Sequence, residues 1–248
     1  MAEPIHMVMP MAGQGSRFAK GGHALPKPLI ELFGKPFFHW AARGVLEQVP
    51  QCGLSFVILE QHQREFDLGG RINACFPQAR IVALAQPTSG SLETALLGLD
   101  GLDPAMAVII NDCDHAFGYS QLPSAIAGLH AGEFDGFLSH FPSQSANFSF
   151  ARYGSDGALI ETAEKRVISD RAIAGVYGFA SVELLHAAAE IYRVNCPYPE
   201  LFVSGVYDVL VAEGRRIAGF DLDFHVPFGT PAELTAALRH PERFEVQQ

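Results

Sequence analysis

Short apolar runs alternate with longer amphipathic segments along the first half of the chain. The apolar runs predict strands at residues 5–9, 54–60, 80–85 and 106–112, and their continuous hydrophobic character is typical of strands covered on both faces. The intervening segments predict helices at 36–48, 62–75 and 91–99, although Gly69 and Gly70 weaken the second. Because crossovers between parallel strands are right-handed, this alternation predicts an α/β fold with a doubly wound, mostly parallel, Rossmann-like sheet.

The pattern changes after residue 135. Strand-like segments follow one another with fewer helices between them at 136–141, 147–153, 158–165 and 172–181. Helices are predicted again at 181–194 and 200–213, followed by a strand near 216–222 and a last short segment at 231–238. This half indicates either a mixed part of the same sheet or a subdomain continuous with it. No repeat or linker interrupts the chain, so we expect one domain over residues 1–248, with parts of about 1–135 and 136–248.

Composition narrows the class of protein. The chain has 248 residues, 48% of them hydrophobic, and a formal net charge of -10, which argues against a nucleic-acid partner. No apolar run is long enough to span a membrane, and the first residues do not resemble a signal peptide, so we expect a cytoplasmic protein with no membrane partner. The four cysteines are scattered without a CxxC pair, which favours reduced thiols over disulfides or a zinc site.

A glycine-rich segment, PMAGQGSRFAKGGHALPKPLIELFGKP, follows the first predicted strand. It is not a dinucleotide fingerprint, because Phe18 stands where the third glycine belongs, and no GK[ST] run makes it a P-loop. Gly13 and Gly15 can nevertheless present bare backbone N–H groups to an anion. Arg17 adds a permanent cation, and Lys27 lies between two prolines that stiffen its backbone. The segment therefore predicts a phosphate-binding loop.

The order of the motifs resembles that of the sugar nucleotidyltransferases. The family pattern is a GxGxR loop, then PKP, then a GKP that opens a helix, and this chain has all three. The resemblance continues with QPTSGSLETAL (86–96), NDCDH (111–115), AEKRVIS and AGVYGF (within 163–179) and GTPAEL (229–234), so it covers nearly the whole chain. The short members on capsule, lipopolysaccharide and phosphocholine pathways, which make polysaccharide precursors among other products, are the most similar.

The resemblance implies a reaction between a nucleoside triphosphate and a phosphomonoester. An acceptor phosphate oxygen attacks the α-phosphorus and pyrophosphate leaves, so catalysis depends on positioning and charge neutralisation. The implied catalytic residues are Arg17, Lys27 and Asp114. The implied nucleotide contacts are Met11, Ala12, Gly13, Gly15, Ser16, Arg17, Gln86, Ser89, Gly90 and Asp112, with Gln86 and Gly90 facing the base. The implied acceptor contacts are Glu164, Lys165 and Gly175.

The resemblance also implies a magnesium ion. Asp114 is the main ligand by resemblance, and Asp112 lies two residues away, on the same side if the chain stays extended there. Many members carry a second aspartate in a W-x-D-x-G-T run, but this chain has Pro227 at that position. The second ligand is then Asp112, Asp208, Asp221 or Asp223, or the metal uses one carboxylate and the phosphates.

The sequence does not decide the chemical class of the acceptor substrate. A sugar-1-phosphate is the first expectation, and phosphocholine or another non-sugar phosphate is the alternative, because aromatic residues in the second half could hold a quaternary ammonium. A nucleotide-binding regulatory protein that has lost the chemistry is the alternative of another class, favoured only by Pro227. A homo-oligomer is compatible with either interpretation.

Overall fold

The protein, described here by a computed structural model covering residues 5–244, is built on a nine-stranded sheet with helices on both faces. The strands are β1 (Ile5–Pro10), β2 (Glu31–Leu32), β3 (Lys35–Pro36), β4 (Gly53–Leu59), β5 (Arg80–Leu84), β6 (Ala107–Asn111), β7 (His115–Gly118), β8 (Gly136–Pro142), β9 (Ser149–Tyr153), β10 (Leu159–Glu164), β11 (Arg171–Phe179), β12 (Ile217–Asp221) and β13 (Phe224–Pro227). The α-helices are α1 (Ser16–Lys20), α2 (Phe37–Leu46), α3 (Glu60–Phe66), α4 (Leu68–Cys75), α5 (Ser91–Leu97), α6 (Leu122–His130), α7 (Val182–Asn195), α8 (Val206–Ala212) and α9 (Pro231–Ala237). Single 3₁₀ turns lie at Lys27–Leu29, Val203–Gly205 and Pro241–Arg243.

The large sheet is mixed, as the change of pattern after residue 135 indicates. Strands β5, β4, β1 and β6 lie side by side and run parallel. Strand β11 runs antiparallel to β6, to β8 and to β9, while β12 is parallel to β8 and β10 is antiparallel to β9. The predicted doubly wound, mostly parallel α/β fold is confirmed. Because β1 has β4 on one side and β6 on the other, the strand order reverses at β1, and ligands bind at the carboxyl ends of strands at such a point.

The continuous apolar runs are explained by two cores, one on each face of the sheet. Along β1, Met7 and Met9 pack with α2 and α6, whereas Val8 packs with α5 on the opposite face. Strands β4 and β6 divide their side chains in the same way, and each of the three β1 side chains is fully buried. Burial on both faces removes the polar alternation that an exposed face would impose.

Several elements depart from the sequence-based expectation. The predicted helix at 62–75 is two helices separated at Asp67, whose φ of 49° is left-handed, rather than one weakened by its glycines. The helix expected at 200–213 begins only at Val206. Helices α1 and α6 and the antiparallel pair of β7 with β13 were not predicted, and β13 pairs across more than 100 residues of sequence. Within residues 5–244, none of the helices has the length and apolar character that crossing a membrane requires.

A buried histidine in the sheet gives a first testable prediction. His140 on β8 is 1% exposed and its Nε2 lies 3.1 Å from the Tyr153 hydroxyl. Burial, with a smaller contribution from the charge of Arg171, lowers the pKa of His140 to about 3. The unfolded chain therefore binds a proton below about pH 6.5 that the folded protein does not, and stability falls as pH drops from there.

We expect His140→Phe to weaken this acid dependence. The fall in unfolding free energy between pH 7 and pH 5 should be smaller in the variant by about 1–2 kcal/mol, since one proton uptake has been removed. Urea unfolding at the two pH values measures it. An equal fall in the variant and the unmodified protein would show that His140 does not titrate as its burial requires.

Candidate active site

A cleft of about 560 Å³ opens where β1 and β6 end and where β11 crosses beside them. Most of the residues predicted from the sequence line it, although they come from segments far apart in the chain. These are Met11, Ala12, Gly13, Arg17, Lys27, Ser89, Gly90, Asp112, Asp114, Glu164, Lys165 and Gly175. Gly15, Ser16 and Gln86 are outside this lining, and Gln86 is exposed.

The glycine loop leads from β1 into the short helix α1. Gly15 adopts a left-handed φ of 60°, and a Cβ there would lie 3.2 Å from Cβ of Lys27, so this glycine allows the lysine to pack against the loop. Gly13 faces open space in the cleft. Arg17 is exposed in the first turn of α1, and its guanidinium forms no ion pair with any of the described residues. The loop therefore leaves one cation available to a ligand.

Lys27 and Asp114 form the central ion pair of the cleft. Nζ of Lys27 donates to Oδ2 of Asp114 at 2.9 Å, and each side chain is about a quarter exposed, at 28% and 25%. Burial by itself would lower the pKa of Lys27, but the Asp114 carboxylate outweighs it and holds that pKa well above the ordinary value. Burial would likewise raise the pKa of Asp114, and the opposing charge of Lys27 lowers it. Both groups are ionised at neutral pH.

Asp112 has a different environment from Asp114. The chain bends at Cys113 and Asp114 instead of staying extended, yet both carboxylates line the cleft. Burial, followed by the negative charge of Asp114, raises the pKa of Asp112 to about 7. Gly175 has a φ of 78°, and a Cβ there would lie 2.7 Å from Oδ2 of Asp112. This glycine therefore makes room for the Asp112 carboxylate. Its expected contact with an acceptor is a separate role, which this packing does not test.

The donor set suits a magnesium ion that keeps several non-protein ligands. Asp112 is a half-buried carboxylate whose pKa is raised by burial and then by the charge of Asp114, and a bound cation would favour its ionised form. No cluster of three or more histidine, cysteine, aspartate or glutamate side chains within residues 5–244 could hold a metal by itself. Magnesium commonly uses one or two carboxylates with phosphates and water, so two aspartates are enough.

The other aspartates considered as second ligands lie elsewhere. Asp208 accepts a hydrogen bond from the Thr162 backbone N–H at 2.6 Å, and Asp223 accepts from Ser120. Asp221 is exposed at the end of β12. None of the three lines the cleft, whereas Pro227 does. Among the candidates raised from the sequence, only Asp112 is in place to accompany Asp114.

The Glu164–Lys165 pair forms a second wall of the cleft. Glu164 accepts hydrogen bonds from Ser149 Oγ and, at 3.2 Å, from Ser204 Oγ, so its carboxylate is fixed in place. Lys165 has a left-handed φ of 52°, and its Nζ lies 4.7 Å from the centre of the Phe202 ring and 4.0 Å from Oε1 of Glu164. This backbone conformation is uncommon for a non-glycine residue and is imposed by the surrounding structure.

Gly90 owes its lack of a side chain to a protein contact. A Cβ at Gly90 would lie 2.4 Å from the Leu201 carbonyl oxygen, and the Leu201 N–H donates to the Ser89 carbonyl at 3.0 Å. The expectation that the bare backbone of Gly90 faces a base therefore has a competing structural cause. Gln86, the other residue expected at the base, is exposed outside the cleft.

This contact gives a second prediction. We expect Gly90→Ala to lower the free energy of unfolding by about 1–3 kcal/mol, because backbone atoms of Leu201 cannot move aside as a flexible side chain can. Gly13→Ala is the matched control, since its Cβ would meet nothing within 4 Å, and it should stay within about 0.5 kcal/mol. Urea unfolding of both variants measures the difference. Equal effects would mean that Leu201 does not pack against Gly90.

Several cleft residues were missed by the sequence analysis. Phe202 and His225 approach the cleft only through the tertiary fold, and no local signal identifies them. Thr230 and Glu233 could have been found, because they have the T-x-x-E spacing of a capping box. Thr230 accepts the Glu233 N–H at 3.2 Å, and burial raises the pKa of Glu233.

Comparison with solved structures gives a consistent result. The chain is similar to the nucleoside-diphosphate-sugar pyrophosphorylase of Vibrio cholerae RC9, with a TM-score of 0.81 and 26% identity over 94% of this chain and 99% of that one. It is also similar to a putative glucose-1-phosphate thymidylyltransferase from Bacillus anthracis, solved with a sucrose, with a TM-score of 0.79 and 14% identity over 98% of each chain. The inositol-1-phosphate CTP transferase of T. maritima superposes with a TM-score of 0.75 and 15% identity over 100% of this chain and 98% of that one.

Two comparisons by sequence gave nothing. No family model matches the chain, and no curated protein matches it. These three structural neighbours are nucleotidyltransferases by name, so the resemblance drawn from the ordered motifs is confirmed by the three-dimensional structure.

Proposed function

We propose that this chain, whose structure is similar to that of a nucleoside-diphosphate-sugar pyrophosphorylase, joins a nucleoside triphosphate to a sugar-1-phosphate and releases pyrophosphate. The observation that carries the proposal is the arrangement of the cleft. One wall has the glycine loop with Arg17 and the Lys27–Asp114 pair, and the other has Glu164 and Lys165. Two anionic substrates can thus be held side by side, with a cation assigned to each.

The reaction needs close approach of two phosphates. An oxygen of the acceptor phosphate forms a bond to the α-phosphorus, and the bond from the α-phosphorus to the oxygen that bridges to the β-phosphorus breaks. Lys27 packs against the loop and lines the same cleft as Glu164 and Lys165, where it would neutralise the α-phosphate and the attacking oxygen. Arg17 would receive the charge that develops on pyrophosphate. No residue forms a covalent bond to either substrate.

The Glu164–Lys165 wall would select the acceptor. Glu164, held by two serine hydroxyls, would accept hydrogen bonds from acceptor hydroxyls. Lys165 would leave the Phe202 ring to bind the acceptor phosphate, because a phosphate dianion attracts an ammonium more strongly than an aromatic face does.

Asp112 and Asp114 would hold the magnesium ion, which when bound supplies positive charge to the phosphate oxygens. The raised pKa of Asp112 fits a carboxylate that is completed by a cation. We further propose that the enzyme works in the cytoplasm and supplies an activated sugar for polysaccharide synthesis.

Pyrophosphate release tests the function. The protein is incubated with magnesium, each nucleoside triphosphate in turn, and a panel of sugar-1-phosphates, inositol-1-phosphate and phosphocholine. We expect release with one nucleotide and one sugar-1-phosphate. Release with phosphocholine alone would keep the reaction and overturn the acceptor class. No release across the panel would overturn the transferase activity.

A further inference from the structure

Two buried polar side chains close the bend that carries Asp112 and Asp114. Asn111 ends β6 and His115 begins β7, and they are 0% and 3% exposed. Nε2 of His115 lies 2.8 Å from Oδ1 of Asn111. This hydrogen bond joins the first and last residues of the five-residue segment, so it fixes the shape of the bend between them.

The side-chain amide of Asn111 determines which atoms donate and which accept in these hydrogen bonds. Nδ2 of Asn111 lies 2.9 Å from the Ala41 carbonyl oxygen, and only the NH₂ group can donate there. The Asn111 Oδ1 atom is thus an acceptor, and His115 Nε2 must carry the proton. The His115 ring is 3% exposed, and burial favours the neutral form of an imidazole, so its Nδ1 has a lone pair.

The chain of hydrogen bonds continues into β13. Nδ1 of His115 lies 3.1 Å from Nε2 of His225, which must therefore donate. Nδ1 of His225 is then the unprotonated nitrogen, and it is buried with no hydrogen-bond partner among residues 5–244. The His225 ring is held by Phe141, whose ring centre is 4.0 Å away. Each tautomer in the chain is set by the one before it.

We propose that Asn111, His115 and His225, here called the histidine clamp, are positioning residues that fix Asp112 and Asp114 for catalysis. The clamp ties the bend to α2 through Ala41 and to β13 through His225. Backbone contacts reinforce it, because the Phe228 N–H donates to the Asp114 carbonyl at 2.9 Å. The role rests on the proposed function, since it positions the carboxylates assigned there.

The clamp explains how the site tolerates Pro227. Proline cannot supply a carboxylate or a backbone donor, yet Pro227 pairs with His115 in the β7–β13 ladder. Its neighbour two residues earlier, His225, supplies the polar link to the bend instead. The segment therefore contributes to the site by holding Asp114 in place rather than by ligating a metal.

Steady-state kinetics test the positioning role. His225→Phe keeps an aromatic ring against Phe141 but removes the donor to His115. We expect kcat to fall about 10- to 100-fold, with KM for the acceptor within about 2-fold, because the acceptor wall is separate. His62→Phe, which changes a buried histidine on α3 outside the cleft, should leave kcat within about 2-fold.

Two variants of His115 distinguish loss of the hydrogen bonds from misfolding. His115→Gln keeps one donor and one acceptor and should retain more of the wild-type kcat than His115→Leu, which keeps neither. If His115→Gln and His115→Leu lower kcat equally, or if His225→Phe has the same kcat as His62→Phe, the clamp has no positioning role. If the unmodified protein itself shows no turnover, the proposed function is overturned instead.

Nitrogen NMR of the histidine rings tests the clamp without any substrate. We expect His115 to show a protonated Nε2 and His225 a protonated Nε2 with an unprotonated Nδ1. In His115→Leu the fixed tautomer of His225 should be lost, so its Nδ1 and Nε2 signals should move toward those of an exchanging ring. A protonated Nδ1 on His225 in the unmodified protein would contradict the deduced chain.

Discussion

Lys27→Ala is expected to lower kcat by about 10²- to 10³-fold, since it removes a preorganised cation from the point where two phosphates meet. The lysine is mounted on a 3₁₀ turn that follows Pro26, packs against Gly15 and donates to Asp114 at 2.9 Å. A flexible surface lysine would lose most of its effect to solvent, but this one is about three-quarters buried.

Pyrophosphate release at saturating substrates measures the loss. Lys35→Ala is the matched control, because Lys35 is an exposed lysine of the neighbouring GKP motif that does not line the cleft. We expect that control to stay within about 2-fold of the unmodified protein. A Lys27→Ala variant that keeps full turnover would remove Lys27 from the mechanism.

Asp114→Asn should have an effect of at least similar size. The change removes the charge that pairs with Lys27 and the carboxylate proposed to meet the metal, while the shape of the side chain is kept. We expect kcat to fall about 10²- to 10³-fold and the magnesium concentration for half-maximal rate to rise. Asp223→Asn is the control, since Asp223 is an exposed aspartate that bonds Ser120 outside the cleft.

The double variant shows whether the two residues act as a unit. If Lys27 and Asp114 serve one step, Lys27→Ala with Asp114→Asn should lose little more than the worse single variant. Losses that multiply would indicate separate roles. An unchanged magnesium dependence in Asp114→Asn would mean that this carboxylate does not meet the metal.

Sequence reasoning located the strands because both of their faces are buried. Runs such as that around Met7 to Met9 read as continuous hydrophobic segments, and the motifs at their ends fall at the cleft for that reason. The glycine loop was predicted to bind phosphate from its two glycines and its cations, Arg17 and Lys27. Phe18 excluded a dinucleotide fingerprint, and the absence of a GK[ST] run excluded a P-loop.

The features that the sequence analysis did not predict depend on contacts between residues far apart in the chain. The predicted helix at 62–75 is divided by Asp67, which has a left-handed φ, whereas the sequence analysis expected Gly69 and Gly70 to weaken it. Gly90 is a glycine because Leu201 packs on it, and residues 200–203 were expected within a helix that begins only at Val206. The pairing of His115 with His225 depends on a strand pair separated by more than a hundred residues, which no local pattern reports.

The central claim is that an acceptor phosphate attacks the α-phosphorus directly. The most direct measurement uses the active phosphomonoester with ¹⁸O in its non-bridging phosphate oxygens and follows the label by mass spectrometry. The proposed reaction predicts that all of the label stays in the nucleotide-linked product, including its new bridging oxygen, and that the pyrophosphate is unlabelled. Label in the pyrophosphate, or a nucleoside monophosphate as the only nucleotide product, would contradict it.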